Sequence, residues 1–469
     1  MKSQILQINN ALKNHQLSIS QLVENCVSLL KNITKTNSII TTCYDAAATQ
    51  AALLDADLAK HDSDLLYGIP YAMKDNVSTK GVKTTAGSKF LQDYIPPYDA
   101  TIAQKLNSAQ ALMLCKSNLD EYGLGGTGTF SAFGIVKNVH DAQYTTGGSS
   151  SGSANLVASG AVPFAIGTDT GDSIRRPASL MGIVGYKPTY GIISRYGVIP
   201  YAPSFDHVGV LSQYVADAAI VASAIVGHDP ADYTSQKITD ANFFTNLCTL
   251  KQINFVCLKN IENYMDEDVK KLYLEAIKKI SQIYHVKVVE PNLEIIKAIS
   301  PAYMVLTYAE ASSCHANKQG VTFGPKSKQP YQAMLLENRT NNFGEQLKRR
   351  FTIGAYVTSA ENFEPIFQRT KKIRTLIINE ANRLLAAGDC LIIPAASAFA
   401  PKIDDVVANK SKTTIADDCL QFANFAGTPS ITIPYKQGKF GWGVNIICKQ
   451  FQDQTLFNIA LSLEELFKN

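Results

Sequence analysis

Two serine-bearing loops and one upstream lysine carry the chemistry this sequence can do. The first loop reads Gly147-Gly148-Ser149-Ser150-Ser151-Gly152-Ser153, the second Asp169-Thr170-Gly171-Asp172-Ser173-Ile174-Arg175, and Lys74-Asp75-Asn76 precedes both. A serine hydroxyl attacks poorly at neutral pH unless a base removes its proton. No histidine sits in or beside either loop, so Lys74 is the nearest candidate base. A lysine must be neutral to act this way, and burial among apolar groups lowers its pKa. The preceding residues Ile69-Pro70-Tyr71-Ala72-Met73 supply such surroundings. Successive backbone N–H groups at Gly171, Asp172 and Ser173 can converge on an oxyanion. Taken singly, each feature has an ordinary reading: Ser149 as a helix N-cap, the Gly-rich turn as a structural loop, Lys74 as a partner of Asp75.

The elements around these residues are those of an α/β protein. Residues 1 to about 60 read as helical, with Ser18-Ile19-Ser20-Gln21 matching a capping box ahead of an apolar stripe. Residues 65–240 are rich in Gly, Ser and Thr, with short apolar runs at 111–114 and 162–166 that read as buried strands. Residues 154–158 carry a short helix, with Gly160 as its stop. The second serine loop leaves the carboxyl end of the strand at 162–166, where α/β sheets place ligands. From about 250 the alternation is explicit: a strand at 253–258, an amphipathic helix from Val269 to Tyr284, and a strand at 286–289. Further strands are expected at 390–393, 430–434 and 444–448, before a terminal helix. Such alternation predicts one large domain over 1–469, with a mixed sheet covered by helices on both faces. The segments are a helical start (about 1–60), a core (about 65–240) and a second half (about 250–469).

Composition excludes little. The 469 residues are 46 % hydrophobic and 18 % charged, with a formal net charge of +4. That charge neither demands nor rules out a nucleic-acid partner. Nine scattered cysteines without a C-x-x-C pair argue against a disulfide framework or a zinc site. The start Met1-Lys2-Ser3-Gln4-Ile5-Leu6 lacks the apolar run of a signal peptide, and no stretch of about 18 apolar residues suggests a membrane span. The expected location is cytoplasmic.

Joint occurrence overturns the ordinary readings. Gly68-Ile69-Pro70 ahead of Lys74-Asp75-Asn76, the Gly-Gly-Ser-Ser loop, and Asp-Thr-Gly-x-Ser-Ile-Arg-x-Pro with its serine 24 residues after Ser149 come in order. So do Asp120-Glu121, Gly185-Tyr186-Lys187-Pro188, Ser194-Arg195 and Asp206-His207-Val208-Gly209. The chain thereby resembles the amidase signature family over nearly its whole length. The resemblance implies that Ser173 is the acylated nucleophile and Ser149 a bridging serine on a cis peptide. It makes Lys74 the base and places the oxyanion on the backbone of Thr170, Gly171, Asp172 and Ser173. One departure is Asp172, where the family usually has glycine. Its N–H survives, and its carboxylate is expected to turn away toward Arg175 or Arg176.

The second half is similar to one branch of that family, the glutamine-hydrolysing subunits of tRNA-dependent amidotransferases. Tyr303, Glu310-Ala311-Ser312-Ser313, Lys348-Arg349-Arg350 and Asp417 ahead of Asn424-Phe425-Ala426-Gly427 carry the likeness. By resemblance Tyr303, Arg350 and Asp417, with Gly125 and Gly126, line a glutamine pocket. An arginine fork suits the carboxylate of an amino acid, and an aspartate suits its ammonium. The branch implies two partner subunits. The larger uses ATP and Mg and holds the glutamyl-tRNA, while this chain binds no cofactor or metal. Other readings are a free-standing amidase, or a silent scaffold subunit prompted by Asp172.

Two further motifs are discounted. Gly123-Leu124-Gly125-Gly126-Thr127-Gly128 fits G-x-G-x-x-G but follows no strand directly and lacks the acidic residue about 20 positions on. Gly148-Ser149-Ser150-Ser151-Gly152 fits G-x-S-x-G but has no histidine partner.

Overall fold

The computed structural model describes residues 1–58, 64–238, 241–321, 324–411 and 413–468. Its centre is one 11-stranded mixed sheet in the order β1-β3-β2-β4-β6-β5-β10-β11-β9-β7-β8. The strands are β1 (Ile39–Thr42), β2 (Pro70–Lys74), β3 (Leu112–Ser117), β4 (Phe164–Asp169), β5 (Val184–Lys187), β6 (His207–Ser212), β7 (Asn254–Leu258), β8 (His285–Val289), β9 (Cys390–Pro394), β10 (Ser430–Lys436) and β11 (Trp442–Ile447). The α/β class expected from the alternation is the one observed.

Strands β2 and β4 run parallel, pairing Tyr71 with Phe164 and Met73 with Ile166. Both are buried along their length, which explains why they read as apolar runs rather than alternating ones. Their side chains divide between two cores. Tyr71, Met73, Phe164 and Ile166 enter one, while Ala72 and Ala165 join Ala154, Leu156 and Val157 of helix Ser151–Ala158 in the other. The sheet is therefore covered on both faces, and small residues at 72 and 165 let that helix lie close.

The N-terminal segment forms helices Gln4–Lys13, Ile19–Asn32 and Tyr44–Asp57, the second opened by the expected Ser18/Gln21 capping box. Strand β1 interrupts that helical reading. It lies antiparallel on the edge of β3, and four residues are too few to show a period. In the second half, β7, helix Glu267–Ser281 and β8 form a parallel crossover unit, as the spacing implied. Helix Leu293–Cys314 packs along helix Glu345–Val357 at Gly354, where an added Cβ would meet the Tyr308 carbonyl oxygen at 2.1 Å. That approach sets the helix faces that carry Tyr303 and Arg350.

Candidate active site

Lys74 is the last residue of β2, and Thr168 and Asp169 end the neighbouring parallel β4. Both carboxyl ends thus open at the same edge of the sheet, and the serine loops fold over that edge. Lys74 Nζ sits 2.9 Å from Ser149 Oγ, 2.8 Å from Ser150 Oγ and 2.7 Å from Thr168 Oγ1. The side chain is fully buried. Asp75 does not pair with it. That carboxylate instead accepts from the Thr85 N–H and hydroxyl and faces Lys116 Nζ at 3.7 Å. Burial lowers the Lys74 pKa from 10.5 to about 7, opposed by the field of Asp120, Asp169 and Asp206. A primary amine with that pKa, ringed by hydroxyls, can exchange a proton with serine near neutral pH.

The second loop is braced from below. Asp169 forms a two-pronged pair with Arg175, at 3.1 Å to Nε and 3.0 Å to a terminal nitrogen, and accepts the Ile174 N–H. Arg175 also donates to the carbonyl oxygens of Gly171 and Leu420 and to Asn424 Oδ1. This holds the Asp169 carboxyl below the usual carboxylate range. With their carbonyls tied down, Gly171, Asp172 and Ser173 present N–H groups that donate to no protein acceptor among the described residues. Asp172 turns to Arg176, 2.6 Å from its Nε, as expected from the sequence. Burial raises the Asp172 pKa, and Arg176 opposes that rise.

The loop 123–128 has a different occupant from the one its glycines suggest. Both oxygens of Asp120 are engaged there: one accepts the N–H groups of Gly126, Thr127 and Gly128, the other that of Phe130. A Cβ on Gly125 would lie 2.0 Å from the Asp120 carboxylate. Glycine is required for that close approach, and the amides a pyrophosphate would need are already used.

A cavity of about 370 Å³ opens against Ser173. Its walls include Gly125, Gly126, Tyr303, Arg350 and Asp417, so all five residues assigned to a pocket by resemblance meet at one place. Tyr303 lies over Gly171, within 3.0 Å of where a Cβ there would be. Arg350 donates to the Tyr201 hydroxyl and the Gly125 carbonyl, and its buried Nε has no hydrogen-bond partner among the described residues. Asp417 does double duty. It closes a capping box with Thr414 and accepts from the Ser397 N–H and hydroxyl, with Arg176 3.6 Å away. Asp418 lines the same wall, and burial lifts its pKa to about 7. The cavity thus carries a cation at Arg350 and carboxylates at Asp172, Asp417 and Asp418 around Arg176.

Sequence reasoning assigns no role at Lys74 to three contributors: Ser150 and Thr168, which both touch it, and Asn76, which donates to Thr168 Oγ1 at 3.2 Å. Ser150 and Asn76 stand inside the motifs already quoted, whereas Thr168 lies inside a buried strand and carries no local signal. Two expectations differ from the structure. The helix after the first loop begins at Ser151, so Ser150 rather than Ser149 holds the N-cap position, and it makes no capping bond. All peptide bonds among the described residues are trans, so the cis bond implied at Ser149 is absent, and no hydrogen bond joins Ser149 to Ser173. No helix among the described residues is long and apolar enough to cross a membrane.

The chain is similar to known proteins over nearly its whole length. The amidase family profile matches residues 21–457. The A subunit of the Mycoplasma pneumoniae glutamyl-tRNA(Gln) amidotransferase is 43 % identical, covering 100 % of this chain and 99 % of that protein. Its counterpart in Caldanaerobacter subterraneus is 34 % identical, covering 98 % and 96 %. The crystal structure of the Thermotoga maritima counterpart superposes with a TM-score of 0.72 at 33 % identity, over 85 % of this chain and 83 % of that one. A peptide amidase from Stenotrophomonas maltophilia gives 0.83 at 25 % identity, over 100 % and 97 %.

Proposed function

The chain belongs to the amidase family of enzymes, and from that premise we propose that it is the glutamine-hydrolysing A subunit of a glutamyl-tRNA(Gln) amidotransferase. The carrying observation is the cavity at Ser173, which sets Arg350 and Asp417 beside the nucleophile loop. A free amino acid offers an anion and a cation to such a pair, and the unpartnered Arg350 Nε suits a carboxylate. Full-length similarity to the A subunits of this enzyme supports the same branch.

In this reading neutral Lys74 takes the Ser149 proton as Ser149 takes that of Ser173, whose Oγ adds to the side-chain amide carbon of glutamine. The N–H groups of Gly171, Asp172 and Ser173, with Thr170 at the loop entry, receive the charge on the carbonyl oxygen. Collapse breaks the C–N bond, and the proton returns from Lys74 through Ser149 to the departing nitrogen. Ammonia leaves an ester on Ser173. Water adds to that ester by the same relay and releases glutamate. Tyr303, Gly125 and Gly126 shape the wall that holds the substrate. The Ser149-to-Ser173 step requires the two hydroxyls to come within hydrogen-bond reach of each other.

The ammonia would pass to a B subunit that amidates glutamyl-tRNA(Gln), with a C subunit joining the two. This chain needs no cofactor for its half-reaction, and ATP and Mg belong to the B subunit, which also carries most of the tRNA contact. The setting would be cytoplasmic. The test is ammonia release from glutamine by the purified chain, alone and with B and C subunits, ATP and glutamyl-tRNA. Release that rises on assembly supports the reading. Full activity alone on other small amides, indifferent to tRNA and ATP, replaces it with a free-standing amidase, and silence under all conditions with a scaffold.

A further inference from the structure

We propose that Ser150 is a positioning residue that fixes the orientation of the Lys74 amine, and that Ser149 alone of the two adjacent serines carries protons. This rests on the reading of Lys74 as the base. Distance does not choose between the serines, since their hydroxyls lie 2.9 and 2.8 Å from Nζ. Hydrogen-bond accounting does. A hydroxyl has one proton and two lone pairs. Ser150 Oγ lies 3.0 Å from the Thr168 carbonyl oxygen, which can only accept, so the Ser150 proton is committed there. The Thr168 N–H donates to Ser150 Oγ at 3.2 Å and takes one lone pair. One lone pair remains, and it faces Lys74. Ser150 is wholly buried, so no solvent competes for it. It can therefore accept from Lys74 but neither give it a proton nor pass one on.

Ser149 differs. Among the described residues its hydroxyl has no hydrogen bond besides that to Lys74, so its proton is uncommitted. A neutral lysine has two protons and one lone pair. Ser150 takes one proton, and Thr168 offers sites for the second at Oγ1, which also accepts from Asn76, and at its carbonyl oxygen 3.4 Å from Nζ. The lone pair can then face a hydroxyl with a proton to give, and of the two serines only Ser149 has one. Ser150 thus couples the base to the backbone of β4 on both sides of Thr168. The charged groups whose field reaches Lys74 are each engaged elsewhere: Asp169 by Arg175, Asp120 by loop amides, and Asp206 by the Thr170 hydroxyl and the N–H groups of Tyr201 and Ala202.

The experiment labels Ser173 in the full chain with an aromatic sulfonyl fluoride and follows intact mass from pH 5.5 to 9. The probe needs no glutamine, so a chain that labels normally but releases no ammonia refutes the substrate reading and leaves this inference standing. Ser149→Ala should lower the plateau rate by about 10²- to 10⁴-fold, the scale of lost proton transfer. Ser150→Ala should lower it by about 10-fold and move the acid limb down by roughly one pH unit, because the ammonium form loses an acceptor. Ser150→Thr should restore the limb to its original position, and Ser150→Cys, similar in size but a weak acceptor, should fall between. Unfolding midpoints measured on the same samples identify folded variants. Folded Ser150 variants that are as inert as Ser149→Ala, or whose limb stays put, overturn the proposal.

Discussion

The base assignment makes the sharpest demand on this protein, because it ties rate and stability to one buried amine. Lys74 loses its proton near pH 7 in the folded chain and near 10.5 when exposed. At pH 6 only about one-tenth of the folded molecules hold a neutral Lys74, and at pH 8 about nine-tenths do. Glutamine hydrolysis should therefore rise about tenfold across those two units and then level off. Lys74→Arg should abolish it, since a guanidinium stays charged at any working pH. The same shift implies that charging Lys74 in place costs roughly 5 kcal/mol relative to water. Between pH 7 and 10.5 the unfolded chain binds a proton that the native chain lacks, so native stability climbs with pH by about 1.4 kcal/mol per unit. Below pH 7 both states are protonated and the full cost is present. Lys74→Met removes that cost but leaves three hydroxyls without their hydrogen-bond partner, at about 1 kcal/mol each. The methionine variant should thus be inactive yet about 2 kcal/mol more stable at pH 6, its advantage shrinking as pH rises above 7. Urea unfolding of both proteins at several pH values measures this, because other titrating groups cancel in the difference. Parallel stability curves between pH 7 and 9, or a rate indifferent to pH 6–8, would refute the argument.

Ser173→Ala should eliminate ammonia release while leaving the unfolding midpoint and partner binding intact; turnover near wild type would move the nucleophile to another serine. Arg350→Ala and Asp417→Asn should each weaken kcat/KM for glutamine by roughly 1.5–3 kcal/mol, the scale of a hydrogen bond to an ionised group, and affect an uncharged amide far less. Equal losses on both substrates would assign these residues to the fold, for which the Asp417 capping box is a ready reason. Asp172→Gly should keep activity within a few-fold, because the side chain is spent on Arg176 and the backbone N–H remains; a large gain would mean that its carboxylate opposes the oxyanion.

How much of this was legible in the sequence follows from what each feature depends on. Buried strands and the capping box declare themselves locally, because a run of apolar residues or a Ser/Gln pair three apart has the same meaning wherever it falls. The edge strand β1 does not, since its four residues gain their conformation from pairing with β3 rather than from their own pattern. The site shows the same division. Lys74, Ser149 and Ser173 stand in loops and at strand ends whose glycines and small residues mark them, but the contacts that tune Lys74 come from Thr168 and Ser150, across 94 and 76 residues of chain. A buried threonine in a strand looks the same whether it fills space or holds a base. The G-x-G-x-x-G run shows the converse. Its glycines are required, yet by the carboxylate of Asp120 rather than by a phosphate. Glycine spacing reports that backbone amides are accessible to an anion, and only the fold says which anion arrives. The same reasoning applies to Asp172. A carboxylate beside a nucleophile reads as an obstacle in sequence, and it ceases to be one because Arg176, one helical turn on, draws it away.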